Sequence, residues 1–168
     1  MIFEETQHFR QQWLWIILII TSLLPIGIFG SGIYFQIIKG RPFGTNPMSD
    51  TQLIIFSIFV FGLMGGTLLL FGSLHLKTII DEAGISYKFF PFQTRFRFIP
   101  WDEIESYEVV KYSPIKEYGG WGIRFGKEGR AYNVSGDRGL KIQMKNGKKI
   151  LIGTRKEDEL KNFLNTIR

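Results

Sequence analysis

Few residues in this chain have the types needed for covalent or acid–base chemistry. Asp102, Glu103 and Glu105 form a short carboxylate cluster, a residue set able to trade protons. Their setting, Pro100-Trp101-Asp102, predicts a turn into a strand, with the tryptophan packed and the acids solvated. The two histidines, His8 and His75, each border an apolar stretch; even side by side at one interface they are too few for a metal-ligand cluster, and ordinary interfacial residues are expected. There is no cysteine, so disulfides, thiolate metal sites and cysteine nucleophiles are excluded. Gly119-Gly120-Trp121-Gly122 and Gly136-Asp137-Arg138-Gly139 are glycine-rich. Neither opens a helix as a phosphate-cradling loop does, so tight turns are expected there. The expectation is no enzyme, no metal and no cofactor.

Cationic side chains offer more. Lys145, Lys148 and Lys149 form a basic hairpin tip, Arg95 and Arg97 a basic pair, and Arg138 sits at a turn. These six are the candidate contacts for an anionic lipid or an acidic partner. The turn Phe89-Phe90-Pro91-Phe92 is apolar, and Phe90 and Phe92 are candidates to dip into a membrane interface beside Arg95 and Arg97. The basic residues are not interleaved with aromatics in a nucleic-acid motif, and no nucleic-acid partner is expected.

The elements that would position these groups fall into two unlike halves. Gln11 to Ile38 and Thr51 to Leu76 contain no Asp, Glu, Lys or Arg. Each is long enough for a helix across a hydrocarbon core about 30 Å thick. The expected order is a juxtamembrane segment over 1–12, a span over 13–38, a short breaker-rich loop over 39–50, and a span over 51–76. Trp13 and Trp15 suit the headgroup level at the start of the first span. Pro25 should kink it. Gly62 and Gly66 give a small-xxx-small spacing expected to pack against that span. Ser49 or Asp50 can cap the second helix. The first stretch is too long, and its flank too weakly positive, for a cleaved signal peptide. Lys and Arg near the span ends lean toward cytoplasmic termini of a two-pass cell-membrane protein.

Residues 1–76 carry Arg10, Lys39 and Arg41 against Glu4, Glu5 and Asp50, so the whole net charge of +6 lies in residues 77–168. There the hydrophobic period becomes two. Strands are expected near 78–81, 84–90, 93–99, 104–112, 120–126, 130–135, 139–145 and 148–153. Thr94, Phe96 and Phe98 alternate with Arg95 and Arg97; Leu140, Ile142 and Met144 alternate with Lys141, Gln143 and Lys145. Asn146-Gly147 suits a type I′ hairpin. Leu160, Phe163, Leu164 and Ile167 share one face of a helix over 155–167, which Thr154 and Glu157 would open with a capping box.

Four segments carry a family likeness: Pro100-Trp101-Asp102-Glu103-Ile104, Gly119-Gly120-Trp121-Gly122-Ile123-Arg124, Ala131-Tyr132-Asn133-Val134-Ser135-Gly136-Asp137-Arg138-Gly139-Leu140, and Asn146-Gly147-Lys148-Lys149-Ile150-Leu151-Ile152-Gly153-Thr154. The chain resembles bacterial two-pass membrane proteins with a C-terminal pleckstrin-homology-like (PH-like) domain. The resemblance implies an all-β barrel of seven or eight antiparallel strands capped by one α-helix. It also implies a binding or scaffolding module for a protein partner at the membrane. Anionic-headgroup sensing is the alternative, and an accessory subunit of a transporter a further one. Where eukaryotic PH domains often carry basic residues in an early hairpin, this chain has the apolar turn at Phe89–Phe92.

Overall fold

The structure, a computed structural model, describes residues 1–126 and 128–167. It divides into two compact units, Arg10–Gly72 and Met1–Phe9 with Ser73–Arg168.

The first unit is a pair of helices. Helix α1 spans Gln12–Gly32 and runs without a break through Pro25, then widens into a π turn over Ile33–Ile38. Helix α2 spans Asp50–Ser73. Both are long and apolar enough to cross a membrane. The second stops three residues short of the expected Leu76, because the chain turns extended at His75. Ser49 caps α2: its Oγ accepts the Gln52 N–H at 3.4 Å, while the Ser49 N–H is donated to Gln52 Oε1 at 3.3 Å. Gln36 closes the loop, donating to the Met48 carbonyl and to Asp50 Oδ1, each at 2.7 Å. Gly62 and Gly66 do not pack against the first helix: a Cβ at either would meet no atom within 4 Å. The close approach is at Gly32, where a Cβ would meet Leu53 at 3.1 Å.

The second unit holds nine strands among the described residues. Sheet A has the order β1-β2-β3-β4, from Phe3–His8, His75–Ile80, Gly84–Phe90 and Arg97–Pro100. Sheet B has the order β5-β8-β9-β7-β6, from Ile104–Lys111, Arg138–Met144, Lys149–Gly153, Gly129–Asn133 and Gly122–Gly126. A short helix α3 (Pro114–Tyr118) precedes β6, and α4 (Glu157–Thr166) ends the fold. Two points depart from a single antiparallel barrel of seven or eight strands. Residues 3–8, expected as a juxtamembrane segment, are a strand. The β8–β9 hairpin inserts β9 between β8 and β7, so β9 runs parallel to β7.

Leu76, Ile80, Ile85 and Phe89 from sheet A, Ala131, Leu140, Ile142 and Leu151 from sheet B, and Leu160 and Leu164 from α4 are buried. Burying such side chains is the main favourable term in folding. Met144, Leu140 and Ile142 face inward as their alternation predicts. The hairpin after them is not type I′. Gly147 alone has positive φ, at 81°, and its N–H is donated to the Met144 carbonyl at 2.9 Å. This is the longer loop in which a left-handed glycine follows the turn.

His8 and His75 are register partners, with ring centroids 5.3 Å apart. Phe90 is in turn the partner of His75. The chain therefore leaves sheet A at His8 and rejoins it at His75, and the turn after β3 lies at that same end.

Candidate anion-binding cleft between the sheets

Register places Tyr87 of β3 opposite Arg97 of β4. On β7, Arg130 and Tyr132 are two residues apart and share a face, as alternate strand residues must. The two sheets meet where the Tyr87 and Tyr132 rings pack, centroids 4.8 Å apart. Both tyrosines are buried. Burial, then the neighbouring Tyr132, pushes the Tyr87 hydroxyl pKa well up, so it stays neutral at physiological pH.

Tyr132 Oη accepts two guanidinium donors, one from Arg97 at 3.3 Å and one from Arg130 at 3.2 Å. Arg130 also lies over the Phe125 ring, 4.5 Å from its centroid. Above this floor opens a cleft of about 940 Å³, with Lys148 and Lys149 on its rim and one carboxylate, Glu103, among its lining. The volume suits a small organic ligand. Among the described residues, no carboxylate lies within ion-pair distance of Arg97, Arg130 or Lys148. Lys149 is 3.6 Å from Glu128, which also holds Lys141 at 3.2 Å.

The six cationic candidates therefore separate. Arg97, Lys148 and Lys149 converge on the cleft. Arg138 is committed elsewhere: it pairs with Glu157 of α4 at 3.2 Å and with Asp137 at 3.8 Å. Arg95 and Lys145 are exposed and do not line the cleft. Arg130, Tyr87, Tyr132 and Phe125 complete it and were not singled out from sequence. The signal available was the spacing Arg130-x-Tyr132 in a predicted strand.

Of the interface candidates, Phe92 is 65% exposed, whereas Phe90 is half-buried and stacked on His75 at 5.2 Å. Trp13 is exposed and Trp15 half-buried. Phe96 is exposed and carries Lys88 Nζ 4.8 Å from its centroid. The carboxylates Asp102 and Glu103 are exposed in the single turn Trp101–Glu103, and Trp101 donates its indole N–H to the Asp81 carbonyl at 2.9 Å. No group of three metal-ligating side chains occurs among the described residues.

The family of unknown function DUF6141 matches residues 1–167. The chain belongs to that family. The match takes in the helical unit and both sheets alike. Comparison with curated proteins gave no match.

Proposed function

We propose that this member of DUF6141 is a two-pass membrane protein whose sheet unit is a PH-like binding module, not an enzyme, working at the bilayer surface on anionic headgroups. The helical unit supports the membrane part. Ile16, Ile20, Leu23, Ile58, Phe59 and Leu69 are all exposed, an apolar surface suited to lipid rather than water. Two sheets followed by the amphipathic α4 fit the PH-like resemblance in outline.

The observation that carries the headgroup reading is the position of Phe92, Phe96, Lys88 and Arg95. They cluster on and beside the turn after β3, at the end of sheet A where His8 and His75 connect to the helices. The chain passes to the helices after His8 and returns from them before His75, so in this reading that end of the sheet carries both covalent links to the membrane part. Exposed aromatic rings flanked by cations suit the boundary between acyl chains and phosphates. A protein partner is the second reading, supported by Ile115, exposed on α3 beside the edge strand β6. Both termini lie on one side in this reading, taken as cytoplasmic.

The test uses the full chain in lipid nanodiscs, with Phe92→Cys carrying a polarity-sensitive fluorophore. Anionic lipid should shift the emission to the blue. Added salt and Arg95→Gln should each reverse part of that shift. Emission that is the same in neutral and anionic nanodiscs would refute headgroup contact. Labelling of single cysteines at Thr45 and Asn146 in intact cells decides the orientation.

A further inference from the structure

We propose that the cleft between the sheets is a binding site for a phosphate monoester that carries an aromatic or apolar portion. The site is separate from the turn after β3, and the inference does not depend on the bilayer reading.

The argument starts from Tyr132. A phenol oxygen is a weak, neutral acceptor, yet two guanidinium groups converge on it. Arg97 is exposed and Arg130 half-buried; like charges brought together repel, and a neutral hydroxyl does little to offset this. Elsewhere in the unit, Arg138, Lys141 and Lys161 sit against carboxylates at 3.2, 3.2 and 2.7 Å. Arg97 and Arg130 have no such partner among the described residues, so their charges remain available to a ligand. Lys148 adds a third uncommitted charge on the rim.

The donor type narrows the ligand. Guanidinium groups present paired N–H donors that match the oxygens of phosphate, and two such groups with nearby ammonium groups suit a dianion. Glu103, the one carboxylate among the lining, disfavours long acidic segments. The cleft wall narrows the ligand further. Phe125 is 71% exposed, with Arg130 over its ring. The half-buried Ile150 continues the apolar lining, and the phenol rings of Tyr87 and Tyr132 form the floor. A bare inorganic ion would leave that apolar surface unused. The phosphate would displace the two guanidinium groups from Tyr132 Oη, and the apolar portion would lie along Phe125. Such a ligand could be a soluble aryl phosphate or the exposed headgroup of a phosphatidic-acid-type lipid; the chemistry is the same.

The experiment titrates the full chain, in neutral detergent, with phenyl phosphate and with inorganic phosphate, following heat of binding. Phenyl phosphate should bind and inorganic phosphate should bind more weakly. Arg97→Gln and Arg130→Gln should each weaken phenyl phosphate about tenfold or more, as loss of a charge-assisted hydrogen bond implies. Phe125→Ala, at an exposed position that tolerates truncation, should bring phenyl phosphate toward the affinity of inorganic phosphate. Arg95→Gln and Lys145→Gln should change neither. Nanodiscs containing phosphatidic acid then separate the sources: competition with phenyl phosphate indicates the lipid, and its absence a soluble ester. No binding of phenyl phosphate to the wild-type chain overturns the proposal. So does equal binding by Arg130→Gln and Phe125→Ala variants that unfold at the wild-type temperature.

Discussion

Thr154 donates its hydroxyl to the carboxylate of Glu5 at 2.6 Å, across 149 residues of sequence. Glu5 is only 5% exposed, and its second oxygen accepts the Arg155 N–H at 2.8 Å. Two residues on, Gln7 Nε2 donates to the Gly153 carbonyl at 2.6 Å. Strand β1 is thus bonded not only to β2 but to the junction of β9 and α4. The Thr154 hydroxyl, expected to cap α4, also accepts the Lys156 N–H at 3.0 Å, and α4 begins with no side-chain cap.

Glu5→Ala should therefore destabilise the sheet unit although it lies in a segment that reads as a tail. It leaves a buried hydroxyl and a backbone N–H without their acceptor, at a cost of about 1–3 kcal/mol. Glu5→Gln, which keeps an acceptor oxygen, should cost less. Urea unfolding of the full chain, followed by tryptophan fluorescence, checks the order. Equal stability of Glu5→Ala and wild type would mean that β1 is not held through this carboxylate.

Alkaline pH offers a second probe. Tyr112 is buried and its Oη accepts Asn133 Nδ2–H at 2.9 Å. Burial pushes its pKa up to about 12; the Asn133 hydrogen bond works in the opposite direction. A folded value above the unfolded 10.0 means the group's contribution is fully present below pH 10 and is lost as pH rises toward 12. The ultraviolet titration of wild type minus Tyr112→Phe should show one phenol ionising near the top of that window. Its appearance near pH 10 would place the hydroxyl in water.

Arg138 and Arg95 should behave oppositely. Arg138 is held by Glu157, whose carboxyl pKa lies below the usual range, chiefly through its hydrogen bond to Lys161 and also through Arg138. Arg138→Gln should leave binding to anionic vesicles unchanged and alter stability little, as for other solvent-screened ion pairs. Arg95→Gln should weaken vesicle binding with no change in unfolding. Flotation of full-chain proteoliposomes against anionic vesicles measures the first and thermal unfolding the second. A loss of binding in Arg138→Gln would return that residue to the headgroup contacts.

What could be seen in the sequence depended on how each residue meets its surroundings. The two apolar helices were legible because length and absence of charge suffice. So was the β8–β9 hairpin, whose inward positions are Leu140, Ile142 and Met144. Strand β1 was hidden because two of its inward positions are Glu5 and Gln7, made tolerable by partners near residue 154. Phe96 and Phe98 misled in the other direction. They alternate like a strand face, yet β4 starts only at Arg97 and both rings are exposed. The cleft was half legible: the charges on Arg97, Lys148 and Lys149 stood out. Arg130 became significant only when register brought Tyr132 against Tyr87.

Gly129 tests how the cleft is built. It starts β7 beside Arg130, and its φ is 97°, a conformation that side chains with a Cβ rarely adopt. A Cβ there would also press on the backbone of Lys149, on the neighbouring strand. Gly136 has a similar φ, 76°, but a Cβ there would meet nothing within 4 Å. The pair separates conformational cost from crowding. Gly136→Ala should cost about 1–2 kcal/mol, the left-handed penalty alone. Gly129→Ala should cost more, because β7 and β9 must move apart, and that movement carries Arg130 away from Tyr132. Thermal unfolding of the two variants should therefore rank Gly129→Ala well below Gly136→Ala, with phenyl phosphate binding lost only in the former. Equal melting temperatures would mean that the Gly129–Lys149 approach opens freely and does not hold the cleft in shape.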